Sequence, residues 1–263
     1  MGAEPDHHAA LSQRRDEVLL RAEGVSFAYG QDPALRDVTL EVRAGEFVSL
    51  VGPNGSGKST LLKVLLGVLE PQEGRVELLG RLPSDVRDRW RVGYVPQRPS
   101  LSSEVPATVE EIVAAGRLRR RGWWRGATGP DRDAVGHAIE SVGLGPQGDR
   151  PLNELSIGQQ QRAFIARAFA GEPELLVLDE PIAGVDAESQ RRFRDSLVHL
   201  IRQHGAGVLL VSHELAAVAD VIDRVVVLKE RVVFDGSPSE LAATGVSLGV
   251  HRDDLPLWLE DLR

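Results

Sequence analysis

The feature that most constrains this chain is a short glycine-rich segment, GPNGSGKST at residues 52–60, which lies between two different apolar patterns. The segment EFVSLVG before it is dense in apolar residues, which is typical of a buried strand. The segment TLLKVLLGVL after it has the apolar spacing of a helix, and Gly67 and Pro71 mark its end. The sequence therefore predicts a strand, a glycine loop and a helix in succession, an arrangement found in α/β folds.

The loop matches the pattern GxxxxGK[ST], in which each residue type has a chemical reason. The glycines let the backbone curl so that successive N–H groups point inward, and the following helix adds the positive end of its dipole. Lys58 is expected to reach the β- and γ-phosphates, and the Ser59 hydroxyl to ligate Mg²⁺. The predicted phosphate site comprises Gly52, Pro53, Asn54, Gly55, Ser56, Gly57, Lys58, Ser59 and Thr60.

A second motif, LLVLDEP at residues 175–181, carries two adjacent carboxylates at the end of an apolar run. The apolar run predicts a buried strand, so Asp179 is expected at its carboxyl edge, where it faces the loop and holds Mg²⁺ directly or through water. Glu180 follows, and a second carboxylate beside the metal can polarise an attacking water. The pair therefore predicts hydrolysis of the bound nucleotide.

Strand and helix patterns alternate through most of the remaining chain. Ahead of the loop, VLLRAEGVSFAYG and ALRDVTLEV are typical of strands, and RVVVLKERVVFDGSP predicts a hairpin that closes the sheet. An amphipathic helix is expected from Ala187 to His204. These patterns predict an α/β fold with a P-loop NTPase core, a mixed, mostly parallel sheet and an N-terminal antiparallel β subdomain.

The alternation stops between about residues 98 and 160, where the segments read as helices joined by Gly and Pro. This region predicts an inserted α-helical subdomain. The predicted organisation is a flexible N-terminal tail at 1–16, one nucleotide-binding domain at 17–240, and a C-terminal tail with a short helix at 241–263.

The composition of the chain indicates which classes of partner and which cellular location to expect. The chain has 263 residues, with Lys+Arg 31 against Asp+Glu 39 and a formal net charge of -8. A protein that neutralises many phosphates of a nucleic acid normally has a basic surface, so we expect no nucleic-acid partner. The lack of cysteine excludes disulfides and thiolate metal sites. No apolar run approaches the roughly 20 residues that span a bilayer, so a cytoplasmic chain is expected.

A third motif completes a family pattern, because LSIGQQQR at residues 155–162 stands shortly before LLVLDEP and well after GPNGSGKST. In this order the three motifs resemble those of the ATP-binding cassette (ABC) ATPases, and the resemblance runs from about Val18 to Pro238. It implies that ATP and Mg²⁺ are the ligands of the loop. A kinase or GTPase with the same loop would leave the third motif unexplained.

The resemblance also implies roles for four residues outside the three motifs. Tyr29 in FAYG resembles the aromatic that stacks on adenine, and Gln97 in YVPQR resembles the glutamine that links Mg²⁺ and water to the helical insertion. Asp186 in AGVD matches the loop that crosses the dimer interface. His213 in VSHE matches the histidine that holds the γ-phosphate and orients the attacking water. The expected Mg²⁺ ligands are then Ser59, Gln97 and Asp179, and the expected catalytic residues are Glu180, Gln97 and His213.

The third motif implies a dimer. By resemblance, Ser156, Gly158 and Gln159 touch the γ-phosphate of a nucleotide held by the opposite subunit, and Gly158 allows close backbone approach at a helix start. The usual motif reads LSGGQ, and Ile157 stands here in place of its first glycine. This departure bears on the dimer geometry and not on the family. With one loop and one such motif per chain, two equivalent composite ATP sites require a homodimer.

Transport is the activity that the resemblance implies. ATP binding would close the dimer, hydrolysis would open it, and the helical insertion would pass the motion to transmembrane permease subunits. The chain is then expected at the cytoplasmic face of the membrane, bound to the permease, with a substrate-binding protein as an indirect partner. The stretches VGYVPQRPSLSSEVPATVEEIVAAGR and DEPIAGVD most resemble ATPase subunits of zinc and manganese importers.

Other functions within the family stay open at the level of sequence. The cargo could be an iron chelate or a cofactor, or the system could be an exporter or act on lipids, since the ATPase does not contact the cargo. A soluble ABC ATPase acting on ribosomes or chromosomes is a further alternative. Such proteins usually carry tandem cassettes or long coiled-coil insertions, and this chain has neither.

The run GRLRRRGWWRG at residues 116–126 mixes arginines with Trp123 and Trp124. Arginine attracts phosphate and tryptophan favours the membrane interface, so the run is compatible with lipid headgroups or a transmembrane partner. The simpler interpretation, which we favour, is a solvated loop that packs its aromatic residues.

Overall fold

The chain folds into two sheets and a set of helices, described by a computed structural model for residues 16–97, 107–121, 126–181, 187–212 and 216–244. The strands are β1 (Val18–Tyr29), β2 (Asp32–Arg43), β3 (Phe47–Val51), β4 (Glu73–Leu78), β5 (Val92–Val95), β6 (Leu175–Asp179), β7 (Gly207–Val211), β8 (Arg224–Lys229) and β9 (Arg231–Gly236). The helices are α1 (Lys58–Leu65), α2 (Val109–Ala114), α3 (Leu118–Arg121), α4 (Gly129–Ser141), α5 (Ile157–Ala170), α6 (Ala187–His204) and α7 (Pro238–Thr244). Short 3₁₀ helices lie at Pro83–Asp85, Arg89–Arg91, Ala115–Arg117, Gly145–Gln147, Leu152–Glu154 and Ala216–Val221.

The central sheet has six strands in the order β5-β6-β7-β3-β8-β9. The first five run parallel to one another, and β9 pairs antiparallel with β8. Every residue of β3 and β7 is buried, as expected for strands covered on both faces. Because parallel strands end at the same edge of a sheet, the segments that follow β3, β6 and β7 lie side by side there.

A smaller antiparallel sheet, in the order β2-β1-β4, covers one face of the central sheet. Its buried residues share a core with α1 and with that face, as Leu20, Leu61 and Leu50 illustrate. This packing brings the start of β2 and the end of β1 close to the glycine loop. The predicted N-terminal antiparallel subdomain is therefore present.

The helices that lie between β5 and β6 along the chain pack against one another and against the other face of the central sheet. Each of α2, α4 and α5 begins with a capping box, in which a Ser or Thr at the N-cap and an acidic or amide residue three positions later satisfy each other's backbone N–H groups. Together with the two sheets, these helices confirm the predicted fold class of a mostly parallel α/β core with an antiparallel sheet and inserted helices.

The last helix, α7, straddles the boundary at residue 240 that the sequence predicted for the C-terminal tail. The rest of that tail and residues 1–15 lie outside the described residues. Within the ranges that the structure describes, no helix is both long enough and apolar enough to cross a membrane.

Candidate functional site

The glycine loop between β3 and α1 packs against two carbonyl groups that leave no room for side chains. The backbone angle φ is 154° at Gly52 and 98° at Gly57, values that strain any other residue. A Cβ at Gly52 would lie 2.1 Å from the carbonyl oxygen of Leu228, and one at Gly57 would lie 2.4 Å from that of Ala34. Glycine at both positions therefore lets the loop pack against β8 and β2.

The loop and the first turn of α1 offer hydrogen-bond donors that suit an anion. Gly57 is the N-cap of α1 and supplies no side-chain cap, and the first turn of α1 carries no acidic residue. The first N–H groups of a helix have no partner within the helix. The Ser56 hydroxyl is buried, and among the described residues it has no hydrogen-bond partner. A phosphate group is the kind of ligand that such donors bind.

Lys58, the first residue of α1, folds back over the loop. Its ammonium Nζ donates to the carbonyl oxygens of Gly52 at 2.6 Å and Pro53 at 2.9 Å. The side chain is largely buried, so its positive charge is concentrated at the loop. Lys58, for which the sequence predicts contact with the β- and γ-phosphates, thus lies over the glycine loop.

Asp179 ends β6 beside the loop, where the central strands terminate. Burial is the main cause that raises the pKa of its carboxyl above the ordinary value, and the neighbouring charge of Glu180 raises it further. Lys58 and Lys63 act in the opposite direction. A half-buried carboxylate that faces a lysine is well suited to hold a cation.

Glu180 is held in an unusual backbone conformation directly after β6. Its φ is 46°, in the left-handed region that non-glycine residues seldom adopt. Its N–H donates to the carbonyl oxygen of Val211 at the end of β7, at 2.8 Å. The Gln97 side-chain amide, which follows β5, donates to the Glu180 carboxylate. Three neighbouring strands thus bring Asp179, Glu180 and Gln97 together at one edge of the sheet.

Residues 54–60, Gln97 and Glu180 line a single cleft of about 650 Å³, and Asp179 precedes Glu180 at its edge. Tyr29 lies on its rim at the end of β1, half exposed, with its ring packed edge-on against Phe27 at a centroid distance of 5.0 Å. The cleft also contains residues that the sequence analysis did not predict as site residues. These are Asp32, Pro33 and Ala34 at the start of β2, and Ser212 after β7.

The predicted residues of the third motif lie apart from this cleft. Ser156 is the N-cap of α5, its hydroxyl accepts from the Gln159 N–H at 3.3 Å, and the Gln159 side chain accepts from the Ser156 N–H at 3.0 Å. Ile157 beside them exposes 83% of its surface. Ser156, Gly158 and Gln159 do not line the described part of the cleft. Two further predicted residues, Asp186 and His213, lie outside the described residues.

The arginine-rich run at residues 116–126 is partly committed to contacts inside the protein. Arg117 is buried and donates to Asp131 at 2.9 Å and to the carbonyl oxygen of Ala170 at 3.0 Å. Arg120 pairs with Glu172, and its guanidinium lies 5.4 Å from the centre of the Trp90 ring. Residues 122–125, which include both tryptophans of the run, lie outside the described residues. The contacts of Arg117 and Arg120 therefore commit both side chains to the protein itself.

The fold and the cleft together define a nucleotide-binding protein with a P-loop. The family described as ABC transporter matches residues 35–183 of this chain. The zinc uptake system ATP-binding protein ZurA of Listeria innocua is 41% identical over 223 residues, which cover 84% of this chain and 87% of ZurA. The zinc transport system ATP-binding protein AdcC of Streptococcus pneumoniae is 38% identical over 78% of this chain and 87% of its own length.

Solved structures give the same result. The structure of an ATP-binding subunit of an ABC transporter superposes with a TM-score of 0.77 and 28% identity, over 92% of this chain and 99% of that one. The dimeric structure of a bacterial ABC transporter cassette superposes with a TM-score of 0.72 and 30% identity, over 83% of this chain and 98% of that one. The chain belongs to the ABC transporter family and is an ATPase of that family.

Proposed function

We propose that this chain is the energy-coupling ATPase subunit of an importer of divalent metal ions, zinc or manganese. The choice of metal ions as the cargo rests on the similarity to ZurA and AdcC. These relatives are named for zinc uptake and zinc transport, and they match about four fifths of the chain. Importers of iron chelates or cofactors, and exporters, remain the alternatives. They share the cassette, and the cassette does not touch the cargo.

The geometry of the cleft supports binding of the ATP phosphates by the glycine loop. The loop N–H groups and the first turn of α1 would bind phosphate oxygens, and Lys58 would exchange the carbonyls of Gly52 and Pro53 for the β- and γ-phosphates. Asn54, Ser59 and Thr60 line the same cleft, and the Tyr29 ring offers a flat face for adenine on its rim.

The chemistry of the available donors fits Mg²⁺. Ser59, Gln97 and Asp179 supply hydroxyl, amide and carboxylate oxygens, the hard ligands that this ion prefers alongside water and phosphate. When bound, the ion neutralises charge that develops on the phosphate oxygens. In the described part of the chain no group of three or more His, Asp or Glu side chains converges as a metal site.

Glu180 is the proposed general base. Its carboxylate lies in the cleft next to Asp179, and Gln97 holds one of its oxygens. From this position it would accept a proton from the attacking water. His213 is proposed to hold the γ-phosphate and orient that water, and Asp186 to lie in the dimer interface, both by resemblance.

A homodimer with two composite sites is part of the proposal. Gly158 lies at the start of α5, and a Cβ there would meet nothing within 4 Å, so the fold of one chain gives no reason for glycine. Ile157 next to it is apolar and exposed. Both facts favour a second subunit that covers this helix start, with Ser156, Gly158 and Gln159 facing its nucleotide.

The proposed partners outside the dimer are transmembrane permease subunits, which would hold the chain at the cytoplasmic face of the membrane. A substrate-binding protein would act through the permease. No nucleic-acid partner is proposed, because the net charge of -8 disfavours one.

The test is to co-express the chain with candidate permease subunits, purify the complex, and measure ATPase activity with each binding protein. Stimulation by the zinc- or manganese-loaded form alone supports metal import. The metal-free binding protein and one loaded with an iron chelate are the matched controls. A complex that responds only to another cargo contradicts metal import, and a chain that assembles with no permease favours a soluble ABC ATPase.

A further inference from the structure

Glu180 is held by contacts from several elements, and these contacts maintain a backbone that is not intrinsically favourable. A left-handed conformation such as φ 46° persists in a non-glycine residue only where the surroundings hold it. Two contacts are already described, from the Glu180 N–H to Val211 and from Gln97 to the Glu180 carboxylate. These two contacts fix the N–H group and the carboxylate of Glu180. They do not fix its carbonyl group, whose direction depends on the same backbone conformation.

The carbonyl is held by Gln161 on α5. The Gln161 side-chain Nε2 donates to the Glu180 carbonyl oxygen at 3.3 Å. Gln161 is 8% exposed, and the residues one turn further along this face of α5, Phe164 and Ile165, are buried and apolar. A primary amide in such surroundings is unfavourable unless it is hydrogen-bonded, so the contact accounts for a polar residue at this position.

We infer that Gln161 is a positioning residue for hydrolysis, which fixes the peptide after Glu180 and thereby directs the Glu180 carboxylate at the attacking water. Gln161 does not line the described part of the cleft, so it acts through Glu180 and not on the nucleotide. Because Ser156 is the N-cap of α5, the same helix carries the residues proposed to face the partner subunit and the side chain that holds the Glu180 carbonyl. The inference rests on the proposed role of Glu180.

The primary variant is Gln161→Met, which keeps the length of the side chain and removes the donor. Gln161→Glu is the second variant, because it keeps the shape and presents an acceptor to the Glu180 carbonyl. We expect each to lower kcat for ATP about 10- to 100-fold with an unchanged KM, since a small misplacement of a catalytic group has effects of this size. If Gln161→Met proves unstable, the glutamate variant carries the test.

Gln160→Met is the matched control. Gln160 is the neighbouring residue on α5, and its amide also donates to a backbone carbonyl, that of Leu155 at 3.0 Å. Removing this contact does not alter the surroundings of Glu180, so kcat and KM should both stay near those of the unsubstituted protein. Tm is measured for all variants to separate misplacement of the base from loss of fold.

A double-mutant cycle shows whether Gln161 acts through Glu180. In a Glu180→Gln background the base is already lost, so adding Gln161→Met should not lower single-turnover hydrolysis further. An unchanged kcat in Gln161→Met, or an equal loss in both backgrounds, overturns the positioning role. If Glu180→Gln itself hydrolyses ATP at the normal rate, the proposed base is wrong, whatever the result at Gln161.

Discussion

At the scale of single residues, Asp179 occupies a place where its negative charge costs stability. Its pKa is raised first by burial and then by the charge of Glu180, with Lys58 and Lys63 opposing. A carboxyl whose pKa rises on folding holds its proton more tightly in the folded state. The folded protein therefore loses stability as the pH rises from the unfolded pKa through the folded one, and above the folded pKa the cost is fully present.

Asp179→Asn should therefore raise the Tm of the nucleotide-free protein at pH 7 by about 2 °C, while it abolishes ATPase activity. The gain should shrink as the pH is lowered through the folded pKa of Asp179, because the native carboxyl then takes up its proton. Scanning calorimetry between pH 4 and pH 8 without Mg²⁺ measures both effects. Asp149→Asn, at an exposed position, is the control and should change little. A lower Tm for Asp179→Asn at pH 7 would contradict the prediction.

At the scale of elements, the glycine loop and α4 each contain a glycine whose substitution by alanine should change the stability of the protein, in opposite directions. A Cβ at Gly52 would collide with the backbone of β8, and φ there is 154°. At Gly136, within α4, a Cβ would meet nothing within 4 Å. Gly52→Ala should destabilise the protein by about 1–3 kcal/mol, whereas Gly136→Ala should stabilise it by roughly 1 kcal/mol.

Urea unfolding followed by circular dichroism gives both free energies of unfolding, and Gly136→Ala serves as the internal control for Gly52→Ala. Two changes of the same sign would show that the loop does not depend on the glycine for packing. Gly52→Ala should also bind ATP weakly, because the loop must shift away from Leu228 to admit the methyl group.

Arg117 joins three parts of the helical region. It lies just after α2, pairs with Asp131 on α4, and reaches Ala170 and Glu172 at the end of α5. The hydroxyl and backbone N–H of Thr128, followed by Arg117, hold the pKa of Asp131 well below its ordinary range. Removing Arg117 would leave the buried, charged Asp131 carboxylate without its positively charged partner, which costs stability.

Arg117→Met should therefore lower Tm by about 10 °C. Since the pKa of Asp131 is lowered on folding, the stabilising effect of its charged form is present above the unfolded pKa and is lost only when the pH falls through the folded one. The deficit should thus stay constant between pH 8 and pH 5. Arg150→Met is the control, because Arg150 pairs with Glu154 at 3.6 Å in an exposed position, where ion pairs contribute little. A similar fall in Tm in both variants would show that the buried ion pair contributes no more than the exposed one.

The elements and the loop could be predicted from the sequence because the signals are local. A strand, a glycine loop and a helix follow one another without interruption, and Asp179 and Glu180 stand directly after an apolar run. The contacts around Glu180 could not be predicted in the same way. Gln97 and Gln161 are 83 and 19 residues away from it in sequence, and only the packing of β5 and α5 against β6 brings them to it.

At the scale of the whole molecule, a single chain supplies only part of each ATP site under the proposed function. The glycine loop, Gln97 and Glu180 share a cleft, whereas Gly158 at the start of α5 does not line its described part. A second copy would have to supply its own α5 start to that cleft.

Blocking hydrolysis should then preserve the closed dimer of two chains, so Glu180→Gln should form a stable dimer with ATP and Mg²⁺ that separates when ADP replaces ATP.

Gly158→Leu, added to Glu180→Gln, should abolish this dimer and leave the monomer folded. A Cβ at Gly158 has open space in the single chain, and leucine is a better helix former than glycine, so Tm should not fall. In the pair, the larger side chain would meet the nucleotide that the other subunit holds. Gly136→Leu in the same background, on α4 and equally open, should still dimerise. Light scattering after size exclusion measures the mass of each variant, and a Gly158→Leu protein that still pairs with ATP would show that α5 does not face the opposite subunit.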